Sequence, residues 1–475
     1  MTRYIEKMQA VKLTIVFVLC FLAIPSFVFA ESVEEQQKLD MVKHLIETFY
    51  YEPVDGDVLE SDSISEIVGQ LDPYSEYLSY EDYTRLVDSI AQEFVGIGVE
   101  IEQVDDGLAI INVFDGGGAD EAGVQPGDII IGVEGVTVND VSLEEALLHI
   151  QGEEGTKVQL DLYRPKDETF IELVIERKVV SVPVVTAETL GGNIGYIGLH
   201  SFSEESASEV KQALTELGEV DQYIFDLRYN AGGYLGAAQD VAGFFPSVGH
   251  ALQIKEHDTE QLMSLWAITQ DQLFEQPVSV LINEYSASAS EIVAAAVKDY
   301  QAAPVFGQTS FGKGTMQELF HLEPYNEESD ILRLTTAEFL SPAGKTINQV
   351  GVTPTVETEV GRELTTAHET SLDNIYQDYH GLGELTRQVD TTTFSVAFSI
   401  PIDWESITES TFEFMEVGGQ SVPLSYDPIS ETEIGIELEQ PLEENRSYRL
   451  YVHPEGESEQ GVSIESGYYV SVEVN

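Results

Sequence analysis

The feature that most constrains this chain is an alternation in its middle third. Short apolar runs suited to buried strands (Ile194 to Leu199, Gln222 to Leu227, Val278 to Ile282, Ala303 to Phe306) are interleaved with or followed by helical stretches. The helical stretches are Ser206 to Leu217, Gly236 to Phe244 and Ser288 to Tyr300. Residues 178–360 therefore read as an α/β or α+β layered core. At 475 residues the chain is too long for one core, so further domains must flank this one.

Upstream, residues 31–92 read as helical, with Leu39, Val42, Leu45 and Ile46 at helical spacing. Leu71-Asp72-Pro73-Tyr74-Ser75-Glu76-Tyr77-Leu78 interrupts this pattern, and Pro73 favours a turn. From Phe94 the pattern changes to strands. Gly96-Ile97-Gly98-Val99-Glu100-Ile101 is a glycine turn entering an alternating strand, and Leu108 to Val113 is a second strand. Ala122-Gly123-Val124-Gln125-Pro126-Gly127-Asp128 is a tight turn feeding a third. Ser142 to Ile150 reads as a helix with Ser142 as N-cap and Glu145 completing a capping box. Strands at Val158 to Tyr163 and Phe170 to Ile175 close the unit. In order and spacing, residues 93–177 resemble a PDZ domain. The resemblance implies that a peptide C-terminus adds as a strand, its carboxylate held by backbone N–H groups of Gly96, Ile97 and Gly98.

Downstream, residues 361–390 are polar and weakly periodic, which reads as a helical tail and linker. Closely spaced strands over 391–475 indicate a β-sandwich. Phe398 to Asp403, Pro441-Leu442-Glu443 and Tyr448-Arg449-Leu450 are similar to the Ig-like modules appended to bacterial surface proteins. No catalytic cluster occurs there, and a spacer or binding module is expected.

Residues 1–30 read as an export signal: basic Arg3, Lys7 and Lys12, an apolar run from Leu13 to Ile24, then Val28-Phe29-Ala30 as a cleavage site. The alternative is an uncleaved membrane anchor, since Leu13 to Ala30 is nearly long enough to span a bilayer. Either way the chain is expected to be exported, extracellular or associated with the cell envelope. The single cysteine, Cys20, lies in this segment, so the remainder can have no disulfide, thiol nucleophile or thiolate metal site. A formal charge of −63 repels phosphate backbones and anionic lipid, which argues against a nucleic-acid partner.

The residues that suggest chemistry fall in separate runs. Asn283-Glu284-Tyr285-Ser286-Ala287-Ser288-Ala289-Ser290-Glu291-Ile292 follows a buried strand and opens an alanine-rich helix. A serine there meets helix N-terminal N–H groups, which favour a developing oxyanion. Alone, such a run is also what ordinary capping looks like. Thr309-Ser310-Phe311-Gly312-Lys313-Gly314-Thr315-Met316-Gln317 sets a lysine between glycines, where backbone can pack closely around it. If a strand follows, alternation puts Lys313, Thr315 and Gln317 on one face, so that Gln317 could orient the amine. A lysine base must be neutral, so burial would have to lower its pKa from about 10.4 towards about 7–8. A surface lysine in a glycine loop is the competing reading. Phe225-Asp226-Leu227-Arg228-Tyr229-Asn230-Ala231-Gly232-Gly233 ends a strand in a glycine turn, which can offer N–H groups to an oxyanion or simply connect.

Together these runs, with Leu71-Asp72-Pro73-Tyr74-Ser75, the PDZ-like unit, Leu334-Thr335-Thr336-Ala337 and Ser341-Pro342-Ala343-Gly344, strongly resemble the tail-specific, or C-terminal processing, peptidases over residues 40–355. The resemblance implies an exported serine endopeptidase with Ser288 as nucleophile, Lys313 as general base and Gln317 positioning it. It implies oxyanion donors from Ala289 and from Gly232 or Gly233. Substrates would be unfolded or tagged proteins with apolar C-termini, without metal or other cofactor; homo-oligomerisation is left open. Ser286, Ser290 and Asp299 are expected to be structural, Asp299 lying about 16 Å from Ser288 along a continuous helix. Gln151 and Thr355 stand where that family more often has arginine and aspartate. Competing readings are a Ser-His-Asp hydrolase using His200 or His250, a carbonyl-chemistry enzyme, and a non-enzymatic PDZ and Ig-like scaffold that binds peptide tails.

Overall fold

The computed structural model describes residues 35–104, 107–114, 116–138, 143–167, 169–256, 261–323, 326 and 328–474. The export segment and the expected N-cap Ser142 lie outside the described residues. Among the described residues no helix is long and apolar enough to cross a membrane. The described residues form two compact units, one within 35–87, 254–263 and 314–340, the other within 88–253, 264–313 and 341–474.

In the first unit a helix over 35–49 buries Leu39, Val42, Leu45 and Ile46 against Ile67, Val68, Leu332 and Leu334. The antiparallel strands Thr315–His321 and Ile331–Leu340 pair, and Glu76–Leu78 adds to the second of them. The span 178–360 is thus not one body, a difference from the sequence expectation. Its segment 314–340 is claimed by strand pairing with Glu76–Leu78 and by the apolar face of the first helix. The turn Leu71–Ser75 has a specific task. The Asp72 carboxylate accepts from Tyr74 N–H, Ser75 Oγ and Thr335 Oγ1, and Ser75 Oγ accepts from Thr335 N–H.

In the second unit, a sheet in the order Val99–Val104, Gly107–Val113, Ile129–Val133, Lys157–Arg164, Thr169–Glu176 encloses a core that includes Leu108, Ile110, Ile130, Leu160 and Ile175. Helix Leu143–Ile150 packs on it through Ala146 and Ile150. Asp128, only 1% exposed, is paired with Arg164 through both carboxylate oxygens, at 2.6 and 2.7 Å, which accounts for a buried acid in a small domain. The central sheet runs Val185–Leu190, Ile194–Leu199, Gln222–Asp226, Val278–Ile282, Val305–Gly307, Val356–Glu357. All its pairs are parallel except the first. Gln222–Asp226 and Val278–Ile282 are buried throughout, as a sheet covered on both faces requires.

Segment 361–390 is helical over 363–375, as expected, but it is not a linker. Helix Glu363–Ile375 buries Ala367 and Leu372 in one core with Ile194, Ile224, Leu281 and Phe306 of the central sheet and Met415 and Tyr451 of the C-terminal strands. His380–Arg387 is then a strand beside Tyr468–Val474. Polar residues on the helix's other face masked its narrow apolar stripe. Beyond it lie a sheet of His380–Arg387, Tyr468–Val474, Ser447–Val452 and Phe412–Glu416 and another of Thr393–Ala397, Glu433–Leu438 and Leu424–Pro428. They share a core containing Phe394, Phe414, Ile434, Leu450 and Val472.

His368 joins these layers: fully buried, its Nε2 is 2.8 Å from Gly191 O, and its Nδ1 accepts from Gly418 N–H at 2.6 Å. Nε2 therefore carries the proton and the ring is neutral. Burial lowers its pKa from 6.5 to about 4. A depressed histidine pKa stabilises the fold above the unfolded value, and that stabilisation is lost as pH falls through 6.5 towards 4. The loss should be on the order of 3 kcal/mol. Thermal denaturation of wild type between pH 7 and 5 should show this slope, and His368→Gln should flatten it; equal slopes would remove His368 as the source.

Candidate active site

The strand Val278–Ile282 leads into a turn held by Asn283, whose Oδ1 accepts from Tyr229 N–H and Tyr285 N–H at 3.0 and 3.1 Å. Ser286 Oγ donates to Leu227 O and accepts from Asn283 N–H. Ser290 Oγ donates to Asn230 O, which also accepts from Ala287 N–H. Both serines are fully buried and tie the serine run to the Leu227–Asn230 turn. Ser288 alone of the three is partly exposed. It sits at φ 55°, ψ −111°, immediately before helix Ala289–Asp299. A non-glycine residue in that region costs about 1–3 kcal/mol, and it persists because the surrounding hydrogen bonds over-determine it.

The second turn lies directly against this point. Asn230, with no exposure, donates from Nδ2 to Leu199 O and accepts at Oδ1 from Gly232 N–H. Gly232 has φ 106°, and a Cβ there would come within 2.9 Å of Ser288 Cβ and 3.0 Å of Ala289 N, so only glycine fits. Of the two candidate donors in this turn, Gly232 is thus already engaged. The N–H groups of Gly233 and Ala289 donate to no group among the described residues. The turn is anchored by Arg228, which pairs with Asp226 and Glu363, while Tyr196 O–H donates to Asp226.

Glu291 carried no sequence-based assignment, yet it links the serine turn to the lysine turn. It is fully buried at the third position of the helix. Its Oε2 accepts from Ser288 N–H at 2.9 Å and Lys313 N–H at 2.8 Å; its Oε1 accepts from Ser310 Oγ at 2.5 Å and Gly312 N–H at 2.7 Å. Burial pushes its pKa up, and these hydrogen bonds pull the other way. The Ser-x-x-Glu spacing of a capping box was the available signal. Gly312 has φ 90° and packs against the backbone of Val350 and Gly351, so backbone does close in beside the half-buried Lys313.

Gln317 lies in the other unit, on the strand that follows. Its Nε2 donates to Thr315 Oγ1 and to Thr335 Oγ1, both at 3.1 Å, and Thr335 Oγ1 donates in turn to Asp72. The Asp72 turn thereby holds the Gln317 amide nitrogen through Thr335. Asp299, at the far end of the serine helix, pairs with Lys345 and accepts from Ala343 N–H, a structural tie. His200 contacts Thr186 and His250 contacts Tyr300; neither is hydrogen-bonded to Ser288. No group of His, Asp or Glu among the described residues could hold a metal.

In the small domain, Ile97 O accepts from Ala119 N–H and Gly98 O from Phe114 N–H. The N–H groups of Ile97 and Gly98 donate to nothing among the described residues. The strand that follows, Val99–Val104, is at the edge of its sheet. The open amides thus lie next to an open strand edge.

Residues 193–358 match the family described as Peptidase family S41, and residues 95–175 match the PDZ domain. The chain is 34% identical over 326 residues to the carboxy-terminal processing protease CtpA of Bacillus subtilis, covering 68% of this chain and 69% of that protein. It is 31% identical over 354 residues to the carboxy-terminal-processing protease of Bartonella bacilliformis, covering 71% and 80%. Among solved structures, the photosystem II D1 C-terminal processing protease aligns with 26% identity and a TM-score of 0.42, covering 69% of this chain and 93% of that one.

Proposed function

This chain belongs to peptidase family S41, the carboxy-terminal processing serine proteases with a PDZ domain, and on that footing we propose how it works and where. Ser288 is the nucleophile and Lys313 the general base. The neutral Lys313 amine takes the Ser288 proton as Oγ attacks the scissile carbonyl. The oxyanion that forms is received by the N–H groups of Ala289 and Gly233, and Lys313 returns the proton to the leaving amine. Water, deprotonated by Lys313, then hydrolyses the acyl-enzyme. Gln317, four residues further along, orients the lysine. The observation that carries this reading is the strained, partly exposed Ser288 at a helix N-terminus beside two open N–H donors, linked through Glu291 to the Lys313 backbone.

The PDZ domain selects substrates by a free apolar C-terminus, its carboxylate on the open Ile97 and Gly98 amides, whereas Gly96 is paired with Lys178 in a strand. The protein is exported, with residues 1–30 as signal or anchor, and the C-terminal sheets form an Ig-like β-sandwich. The packing of Met415 and Tyr451 into the protease core supports a fixed module in place of a flexible spacer.

The test is a rate series on one unfolded substrate carrying an apolar or an acidic tail, each free or amidated, at low and high salt. Amidation should slow cleavage of the apolar tail about tenfold or more at either salt, as loss of a charge-assisted contact predicts. An acidic tail should be slower still, because it also meets a chain of charge −63, and salt should recover part of that loss. Equal rates for free and amidated apolar tails would show that the carboxylate is not read.

A further inference from the structure

Two tyrosines border the Ser288 turn and face solvent, Tyr229 at 69% and Tyr285 at 56% exposure. Their rings stack, with centroids 5.5 Å apart and planes within 17°. The backbone N–H of each is held by the same acceptor, Oδ1 of the buried Asn283. Tyr229 adopts φ 61°, a left-handed conformation that is unfavourable for a bulky residue. A strained, exposed ring pair adds little to the core, so stability does not explain it.

Its position points to the reaction. Tyr285 lies three residues before Ser288, and Tyr229 precedes Asn230, whose carbonyl accepts from Ala287 N–H and Ser290 Oγ. The pair is therefore fixed to the same backbone frame as the nucleophile. We propose that Tyr229 and Tyr285 are specificity-determining residues of the proteolytic site, forming a flat platform on which an aromatic side chain of the substrate, close to the scissile bond, stacks. This rests on the assignment of Ser288 as nucleophile. An aromatic ring continues the stack through an outer face of the pair, where an aliphatic side chain gains area burial alone. Because the stack and Asn283 already hold the platform, little ordering entropy is lost on binding.

The experiment uses the full chain and unfolded peptides with a common apolar free tail. Phe, Leu or Arg is placed in turn at each position on either side of the cleaved bond, and kcat/KM is measured. Wild type should favour Phe over Leu at one position. Tyr229→Ala and Tyr285→Ala should each reduce that ratio about fivefold, whereas Tyr285→Phe should keep it. Tyr229→Gly relieves the backbone and should raise the melting temperature while losing the preference, a combination that a structural role does not produce. An unchanged Phe to Leu ratio in a reaction that depends on Ser288 would overturn the platform alone. So would a preference for Arg that the same variants abolish. Cleavage that survives in Ser288→Ala would remove the nucleophile assignment and the platform with it.

Discussion

Ser288→Ala yields a folded protein that no longer cleaves unfolded substrates. Removing an activated serine nucleophile costs on the order of 10⁶ in kcat, because no other group can form the acyl-enzyme. The fold should survive. The residue's backbone N–H still donates to Glu291, and neither Ser286 nor Ser290, both buried and bonded to carbonyls of other residues, depends on the 288 hydroxyl. The strained backbone supplies a second readout. Alanine at φ 55°, ψ −111° keeps the strain, whereas glycine releases it. Ser288→Gly should therefore be more stable than Ser288→Ala by about 1 kcal/mol, although both are inactive. Rates on an unfolded reporter protein and thermal denaturation of the three forms decide this. Residual cleavage near the wild-type rate would exclude Ser288 as nucleophile, and equal stability of the two variants would show that the turn is not strained.

Lys313→Ala and Lys313→Arg should be inactive to a similar degree, with losses of roughly 10³-fold or more, as expected when the base for a serine nucleophile is removed. The arginine variant is the sharper test. It retains the positive charge and much of the length, but a guanidinium stays protonated at any accessible pH and cannot accept the Ser288 proton. Neither change removes the backbone donor at 313 that holds Glu291, so circular dichroism and melting should remain close to wild type. The wild-type rate should rise with pH as the amine loses its proton and then level off. An active Lys313→Arg, or a rate that falls with pH over that range, would exclude lysine as the base.

Much of this protein was determined locally, along the chain. The central strands could be read from Ile194–Leu199, Gln222–Asp226 and Val278–Ile282, because a strand covered on both faces reads as a near-continuous apolar run, interrupted here by the buried Gln222, Asp226 and Ser279. The small PDZ domain could be read because its glycine turns, strands and late helix occur in the order and spacing of that family. The serine and lysine runs are contiguous turns next to regular elements, but local pattern alone left them open to ordinary capping and a surface loop, and it was their resemblance to a known family that singled them out.

What tertiary structure decided is pairing at a distance. Glu291 resembles any capping residue until Ser310, Gly312 and Lys313, 19 to 22 residues away, converge on its carboxylate. Asp72 acquires its part in holding Gln317 through Thr335, 263 residues further along. Helix Glu363–Ile375 looked like a linker because only a stripe holding Ala367 and Leu372 meets the core, and a stripe so narrow shows itself only once the layers on both sides of it are in place. Which of Gly232 and Gly233 keeps an open amide was decided by the Asn230 side chain, which accepts from Gly232, whereas the Gly233 N–H donates to no group among the described residues. Local hydrophobic pattern selects elements, but a buried polar atom has a partner only when the fold brings one within about 3 Å, and that depends on contacts the local pattern does not encode.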